Sequence, residues 1–276
     1  MPTREARKFG AAQSHKTPPP TQPLSRFGQA TISGMTPANA VLILAVFGLL
    51  GGSVVSQRAR TGLAWFGVPI LCAFSLKRMH SGFDLVHELT FYASYHADWR
   101  NQLVHVVFVP LLVFTAMIFL AYVPPLSRAT PLGMPLNWAT LAALAWSGHH
   151  VKCEPLVGLF TSLVTFGSAL LATLIVQREL PPTKGKGKGM PAVRYGQAAR
   201  WAGALHGLSW YMQIHPGHAI FEGRKAALLD ALIQSFMDGP LFIWMEVAFR
   251  LGYDPALRVQ LESAVAAQHA AWALAS

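Results

Sequence analysis

The chain has 276 residues, of which 53% are hydrophobic and only 12% are charged. Soluble domains usually carry about 25% charged residues, so the composition excludes an ordinary soluble protein and favours an all-α, polytopic membrane helical bundle. The net charge of +10 is concentrated in the N-terminal arm and in one connecting segment near residues 178–200. Both segments are expected to face the cytosol under the positive-inside rule, and neither resembles a nucleic-acid reading surface.

The N-terminal part is predicted to be an addition to the main domain. Residues 1–35 form a disordered basic arm, in which Glu5 is the only acidic residue. An arginine-rich, acid-poor arm is also typical of an organelle targeting segment, and that alternative stays open. Residues 36–79 are predicted to contain the extra membrane segments, because residues 38–56 form an uncharged apolar run that is long enough to span a bilayer.

Residues 80–255 are predicted to be the catalytic membrane domain, and residues 256–276 a surface helical tail. The apolar runs predict about four to six membrane helices in the whole chain, together with interfacial helices. Those of the main domain are at residues 103–123, 136–146, 155–176 and 198–214. Gly239 and Pro240 are expected to separate an amphipathic helix from a final apolar helix that begins at residue 241.

Four histidines next to apolar runs suggest a metal site, namely His96, His105, His215 and His218. Imidazoles are costly to bury at membrane depth unless they face a partner, water or an ion. A site made only of imidazoles fits iron, copper, nickel or zinc, and redox chemistry on a lipid favours iron.

The spacing of the first histidine pair limits how it can bind one ion. His96 and His105 are nine residues apart, so on a single straight helix they would lie on opposite faces. They can share an ion only if His96 precedes the helix and the chain bends back at the N-terminal end of the helix. Asp98 or Asn101 would cap the helix there.

The second pair surrounds Pro216 and Gly217, which predict a tight turn rather than a helix. Such a turn would direct His215 and His218 into one cavity. Glu222 is then a further ligand or an acceptor that fixes a histidine tautomer.

The remaining histidines and the cysteines have simpler explanations. His149 and His150 are predicted to be a polar loop pair at a membrane edge. Cys72 and Cys153 are far apart in the sequence and are expected to form neither a disulfide framework nor a thiolate metal site.

Two blocks of sequence carry the motifs of the main domain. The first contains Tyr95-His96, Asn101-Gln102-Leu103-Val104-His105 and Val109-Pro110, and the second contains Gln213, Gly217-His218, Phe221-Glu222-Gly223-Arg224-Lys225, residues 227–230 and residues 234–235. In these blocks the chain resembles a family represented by the fungal 2-hydroxy fatty acid dioxygenase of the endoplasmic reticulum, and the resemblance extends over about residues 85–255.

This resemblance implies an Fe(II)-dependent enzyme that uses O2 to shorten a 2-hydroxy fatty acid by one carbon, in the breakdown of the phytosphingosine long-chain base. It implies that His96, His105 and His218 are iron ligands and catalytic residues, and that Glu222 is a further catalytic residue. On six-coordinate iron, three protein ligands leave room for a chelating substrate and for oxygen. If His215 is a fourth ligand, one ligand must be labile or the substrate must bind through one oxygen. Arg224 and Lys225 are the candidate partners of the substrate carboxylate.

Two other interpretations are open at this point. One is a non-enzymatic transporter or scaffold with structural histidines. The other is a di-iron lipid hydroxylase, although the chain lacks the several histidine clusters of that class. The expected partners are the fatty acid and the bilayer, without nucleic acid, and a homo-oligomer is compatible with the sequence. Endoplasmic reticulum membrane is the expected location.

Overall fold

A computed structural model describes residues 67–73, 75–77, 84–123, 125–126, 136–179, 196–224, 226 and 232–275. The basic arm, the apolar run at residues 38–56 and Lys225 lie outside these residues. Every regular secondary-structure element among the described residues is a helix, and these residues contain no β-strand. This confirms the all-α prediction.

Seven α-helices and one π-helix make up residues 84–275 as far as they are described. The elements are α1 (Leu85–Ser94), α2 (Trp99–Ala121), α3 (Trp138–Cys153), α4 (Pro155–Glu179), α5 (Gln197–Met212), the π-helix (Gln213–Glu222), α6 (Leu232–Arg250) and α7 (Pro255–Ala275). Residues 67–73 and 75–77 are also helical.

Short polar side chains cap the first turn of several of these helices. Asp84 accepts a hydrogen bond from the His87 amide at α1, and Asn137 does the same for the Thr140 amide at α3. Asp98 accepts from the Arg100 amide at α2, which confirms it as the predicted cap. Each cap satisfies one amide that the helix itself leaves without an acceptor.

Helix α2 is the central element, because it contacts α4, α5, α6 and the π-helix. Its C-terminal half belongs to one apolar core, in which Met117 and Phe119 pack with Trp138. A second core joins α1 to α6 around Tyr92 and Phe242. The N-terminal end of α2 meets the end of α1 and the π-helix beside this second core, and the histidine motifs are in these segments.

Two of the predicted membrane helices agree closely with the structure. Helices α2 and α4 have mean hydropathies of 2.6 and 2.1 and are long enough to cross a bilayer. Their apolar surface is not fully used in packing, since Leu103, Val107, Leu159 and Leu163 are all more than half exposed. Exposed leucine and valine along both helices suit a lipid environment. The total of four to six spans stays a prediction.

The predicted break at Gly239 and Pro240 is wrong, because α6 runs through both residues. Proline removes one backbone hydrogen bond from a helix, a loss that packing can offset. Here the residues that follow, Leu241, Phe242 and Ile243, are almost completely buried. Their burial holds the helix together across the proline.

The predicted loop at His149 and His150 is also wrong. Both residues lie in the last turns of α3 and are buried. Their polar atoms face α6, where His149 Nε2 meets Asp238 Oδ1 and His150 Nε2 lies 2.8 Å from the Met237 carbonyl oxygen. Polar partners on a neighbouring helix allow the imidazoles to be buried.

The tight turn predicted at Pro216 and Gly217 is replaced by the π-helix, which includes both residues. A π-helix is wider than an α-helix, with hydrogen bonds to the fifth residue, and it frequently occurs at functional sites. It ends at Gly223, whose φ of 61° is in the left-handed region that glycine adopts without strain.

Candidate metal centre

Three buried histidines from different segments converge at the N-terminal end of α2. The ring centroids of His96 and His105 are 4.5 Å apart, those of His96 and His218 are 4.8 Å apart, and those of His105 and His218 are 5.0 Å apart. One nitrogen from each imidazole lies within 4.8 Å of the other two. The three residues are 3–6% exposed, so the cluster is almost closed to solvent.

His96 lies in the bend between α1 and α2, as the spacing argument requires. Its Nδ1 is 2.7 Å from the carbonyl oxygen of Tyr92, and its ring stacks on the Tyr92 ring at 3.9 Å. An Nδ1–H that donates to this carbonyl leaves Nε2 as the lone-pair atom. Nε2 is buried and makes no hydrogen bond, so it is available to a metal.

His105 is oriented in the same way. Its Nδ1 lies 3.0 Å from the carbonyl oxygen of Asn101, four residues earlier in α2. A hydrogen bond from one ring nitrogen to a backbone carbonyl fixes the tautomer and directs the other nitrogen toward an ion. Each of the two imidazoles is therefore oriented by the backbone carbonyl of the residue four positions earlier, Tyr92 for His96 and Asn101 for His105.

The π-helix brings the third imidazole into the cluster. His218 is buried, and its Nδ1 makes no hydrogen bond. The π-helix approaches α2 closely at Gly217, where a Cβ atom would lie 2.5 Å from Asn101 Oδ1. Only glycine allows this approach without displacing Asn101, so Gly217 sets the position of the neighbouring His218.

Glu222 is buried beside the cluster but faces amide donors. Its Oε1 accepts hydrogen bonds from the Asp98 amide at 2.8 Å and from Asn101 Nδ2 at 3.0 Å. Burial raises the pKa of its carboxyl group, and these hydrogen bonds oppose that rise. The carboxylate joins the end of the π-helix to the start of α2.

Gln102 provides a second link around His96. Its Nε2 donates to the His96 carbonyl oxygen at 2.8 Å, and its Oε1 accepts from the Arg250 guanidinium at the end of α6. The bend that carries His96 is therefore held from both sides, by Glu222 and by Gln102.

The other predicted site residues that the structure describes are not members of the three-histidine cluster. His215 is exposed and packs against Tyr211 at a centroid distance of 5.4 Å, apart from the three-histidine cluster. Arg224 donates to the Ser94 carbonyl oxygen at 3.0 Å and lies over the ring of Trp272. Lys225 is outside the described residues.

Comparison with known proteins agrees with the motifs in these segments. The family described as 2-hydroxy-palmitic acid dioxygenase Mpo1-like matches residues 83–251. The chain belongs to the Mpo1-like family. It is similar to the 2-hydroxy-palmitic acid dioxygenase MPO1 of Saccharomyces cerevisiae, with 27% identity over 179 residues, which cover 65% of this chain and 88% of the yeast protein. No solved structure matches the chain.

The three imidazoles of this Mpo1-like chain fit a divalent metal. A metal requires neutral imidazoles, and burial lowers the pKa of His96 well below its usual value, helped by the neighbouring His105 and His218. Buried nitrogens without hydrogen bonds are rare in folded proteins and need an explanation. An ion held by His96, His105 and His218 explains why Nε2 of His96 and Nδ1 of His218 are both buried without a hydrogen bond.

An apolar groove between α2 and α4 is separate from this centre. Val107, Leu111 and Phe114 line it on α2, and Gly167 and Leu171 line it on α4. At about 100° per residue, these α2 positions lie about 180–240° around the helix axis from His105. The groove is therefore on the far side of α2, and we do not assign it to the substrate of the metal centre.

Sequence reasoning assigned no role to Tyr92 or Gln102, and it treated Asn101 only as a possible helix cap and Gly217 only as part of a turn. Two of them have a visible signal, because Tyr92 precedes His96 by four residues and Asn101 precedes His105 by four. This spacing places a backbone carbonyl below each imidazole on a helix. The contacts of Gln102 and Gly217 link segments distant in sequence, and no local pattern indicates them.

Proposed function

We propose that the chain is an Fe(II)-dependent dioxygenase that shortens 2-hydroxy fatty acids by one carbon. The observation that carries this proposal is the convergence of His96, His105 and His218 with two buried nitrogens that make no hydrogen bond. Membership of the Mpo1-like family supports the substrate class, since the yeast relative is named for its action on 2-hydroxy-palmitic acid.

The proposed reaction balances without a further reductant. A 2-hydroxy acid, RCH(OH)CO2H, and O2 give RCO2H, CO2 and H2O. The bond between C1 and C2 breaks, C2 is oxidised to the new carboxyl carbon, C1 leaves as CO2, and the four electrons reduce dioxygen. When bound, iron supplies the redox chemistry that lets dioxygen react with an organic substrate.

The protein supplies three neutral donors. Because His96, His105 and His218 add no negative charge, a bound dication keeps its full charge, which attracts an anionic substrate. A 2-hydroxy acid offers a carboxylate and a neighbouring hydroxyl as a chelating pair of oxygens. The near closure of the cluster excludes bulk water and strengthens this attraction.

The depth of the centre suits a fatty acid in a bilayer. His105 is six residues after Trp99, the start of α2, or about 9 Å along the helix. Trp99 is 61% exposed, and tryptophan is enriched at the membrane interface. We place the carboxyl end of the substrate near this interface and its chain among the membrane helices, four to six in the whole protein.

We further propose that the enzyme acts in the endoplasmic reticulum membrane, in sphingolipid long-chain-base breakdown. The basic arm at residues 1–35 leaves another organelle membrane as the alternative. The two locations predict different distributions of the full-length tagged protein between organelle fractions.

Arg224 is the proposed partner of the substrate carboxylate, with Lys225 beside it in sequence. Arg224 already contacts the Ser94 carbonyl oxygen through Nη1, and its guanidinium has further donors that can bind an anion. An Arg224→Lys variant keeps the charge but loses the planar fork. We expect its KM for the fatty acid to rise more than its kcat falls.

The two rival functions fit the described residues less well. A scaffold with structural histidines does not require three imidazoles to converge with their nitrogens within 4.8 Å of one another. A di-iron centre needs more ligands than the three-histidine cluster provides among the described residues.

The test uses full-length protein purified in detergent, loaded with Fe(II) and given 2-hydroxypalmitic acid in air. Mass spectrometry should detect pentadecanoic acid from the unmodified protein and at least 100-fold less from His218→Ala. His215→Ala is the matched control, because His215 is exposed and outside the cluster; it should retain most of the activity.

The outcomes separate the proposals. Activity with Fe(II) but not with Zn(II) supports redox chemistry by iron. Equal loss in His215→Ala and His218→Ala contradicts the three-histidine centre. Iron bound by the cluster without any shortened product contradicts the proposed reaction while leaving the metal centre in place.

A further inference from the structure

We propose a second metal site, for a divalent cation of the zinc class, formed by His149, Cys153 and Asp238 between α3 and α6. The candidate donor atoms of these three side chains all lie within 4.8 Å of one another. The site shares no residue with the three-histidine centre and is independent of the proposed dioxygenase activity.

The spacing of the residues brings different donors to one place. His149 and Cys153 are four residues apart on α3 and therefore share a helix face. Asp238 comes from the facing helix α6, where it is completely buried, and the His149 side chain is 1% exposed. Nitrogen, sulfur and carboxylate oxygen are the three donor types that zinc accepts in proteins.

The distances are close to those of a metal site. Cys153 Sγ lies 3.5 Å from His149 Nε2. Two ligands of a tetrahedral zinc ion, at about 2.3 Å for sulfur and about 2.05 Å for nitrogen, are separated by about 3.5 Å. His149 Nε2 and Asp238 Oδ1 are 2.5 Å apart, which is shorter than an ordinary N–H···O hydrogen bond. An ion bound by both atoms would widen this contact by less than about 1 Å.

Charge balance favours a dication at this position. An ionised carboxylate is costly to bury unless it is paired, and a thiolate adds a second negative charge. A divalent cation with one thiolate, one carboxylate and a neutral imidazole forms an electrically neutral group. Loading releases the thiol proton, and the imidazole keeps its proton on the ring nitrogen that does not bind the ion.

The two metal sites would differ in chemistry. The three-histidine centre keeps a net charge of +2 and attracts an anion, whereas the second site is neutral when loaded. It joins α3 to α6, so its expected role is to stabilise the contact between these helices. Three protein donors leave one tetrahedral position for water or another small ligand.

Cobalt(II) distinguishes the sites, because only the second one contains sulfur. Full-length metal-free protein in detergent is titrated with Co(II), and the near-ultraviolet absorption of a cobalt–thiolate bond is recorded. We expect this band in the unmodified protein and in His218→Ala. It should be lost in Cys153→Ser and persist in Cys72→Ser, the matched control that changes the other cysteine.

Metal stoichiometry gives a second measurement. The His218→Ala variant should still bind one equivalent of Zn(II) at the second site, and Asp238→Asn in the same background should weaken this binding at least 10-fold. A band that persists in Cys153→Ser, or its absence from folded unmodified protein, overturns the proposal and leaves His149 and Asp238 as a hydrogen-bonded pair. Neither result affects the dioxygenase proposal.

Discussion

Oε1 of Glu222 lies 3.0 Å from Nδ2 of Asn101, and this hydrogen bond connects the last residue of the π-helix to the first turn of α2. Glu222 follows His218 by four residues, and Asn101 precedes His105 by four. The bond is thus about one helical turn from each of these histidines. It sets the distance between the two segments that supply His105 and His218.

The first prediction tests this link. Glu222→Ala removes the acceptor from the Asp98 amide and from Asn101, leaving buried donors unsatisfied. We expect metal affinity to fall about 10-fold or more, as is usual when the groups that orient metal ligands are lost. Glu222→Gln keeps an acceptor oxygen and should recover much of the affinity, measured by competition with a chelator of known strength.

A different outcome would assign Glu222 another role. If Glu222→Gln and Glu222→Ala both bind metal normally but lose all turnover, the carboxylate takes part in the chemistry rather than in positioning. The pH profile of kcat would then also change between the unmodified enzyme and Glu222→Gln.

The second prediction concerns the close approach at Gly217. Gly217→Ala would place a Cβ atom 2.5 Å from Asn101 Oδ1, so the π-helix or Asn101 must move. We expect a loss of about 1–3 kcal/mol in stability and weaker metal binding. Gly207→Ala is the matched control, because nothing lies within 4 Å of its Cβ position. Equal thermal midpoints and metal affinities for the two variants would contradict this role of Gly217.

The third prediction concerns Gln102. Gln102→Glu replaces the amide that donates to the His96 carbonyl oxygen with an acceptor, while the contact with Arg250 is retained. Two acceptors then face each other, and we expect metal binding to weaken by about 1–3 kcal/mol. Gln260→Glu, at an exposed position of α7, makes the same chemical change as a control. Unchanged affinity in Gln102→Glu would show that the bend keeps His96 in place without this bond.

The fourth prediction concerns α7, which packs on α1. The Trp272 ring lies 5.2 Å from the Tyr95 ring and under the Arg224 guanidinium at 5.6 Å. Trp272→Ala removes both contacts and should destabilise this end of the fold by about 1–3 kcal/mol. Limited proteolysis should then cleave the tail faster. Leu274→Ala, at a position that is 92% exposed, should leave the cleavage rate unchanged.

The fifth prediction is the pH dependence of the metal-free protein. Burial lowers the pKa of His96 well below its usual value, so His96 stays neutral when folded, whereas an unfolded imidazole takes up a proton near pH 6.5. Below that pH the unfolded state binds more protons, and stability therefore falls as pH decreases. At a pH one unit below the unfolded pKa, one such group costs on the order of 1 kcal/mol.

The measurement is the thermal midpoint of metal-free protein at pH 7.5 and pH 5.5. The decrease between the two values should be smaller in His96→Asn, which has no titrating group at this position. Equal decreases in both proteins would exclude His96 as a source of the pH dependence.

The helical class, the two apolar helices α2 and α4 and the positions of the histidine motifs could be predicted from the sequence alone. These features depend on local patterns: the length of an apolar run, the cap at Asp98 and a spacing of nine residues that requires His96 to precede the helix. Such patterns act within a few turns of chain and can be interpreted without a fold.

Which histidines lie together depends on the tertiary structure. The sequence pattern predicts both His215 and His218 as metal ligands, yet the π-helix buries His218 and exposes His215. Long-range contacts also decide the partners of Glu222 and the burial of His149 against Asp238, because each pair is more than 80 positions apart. The continuity of α6 through Pro240 depends on packing across helices. Burial and long-range hydrogen bonds offset local preferences for turns and helix breaks, because the free energy of packing exceeds the cost of one lost backbone hydrogen bond.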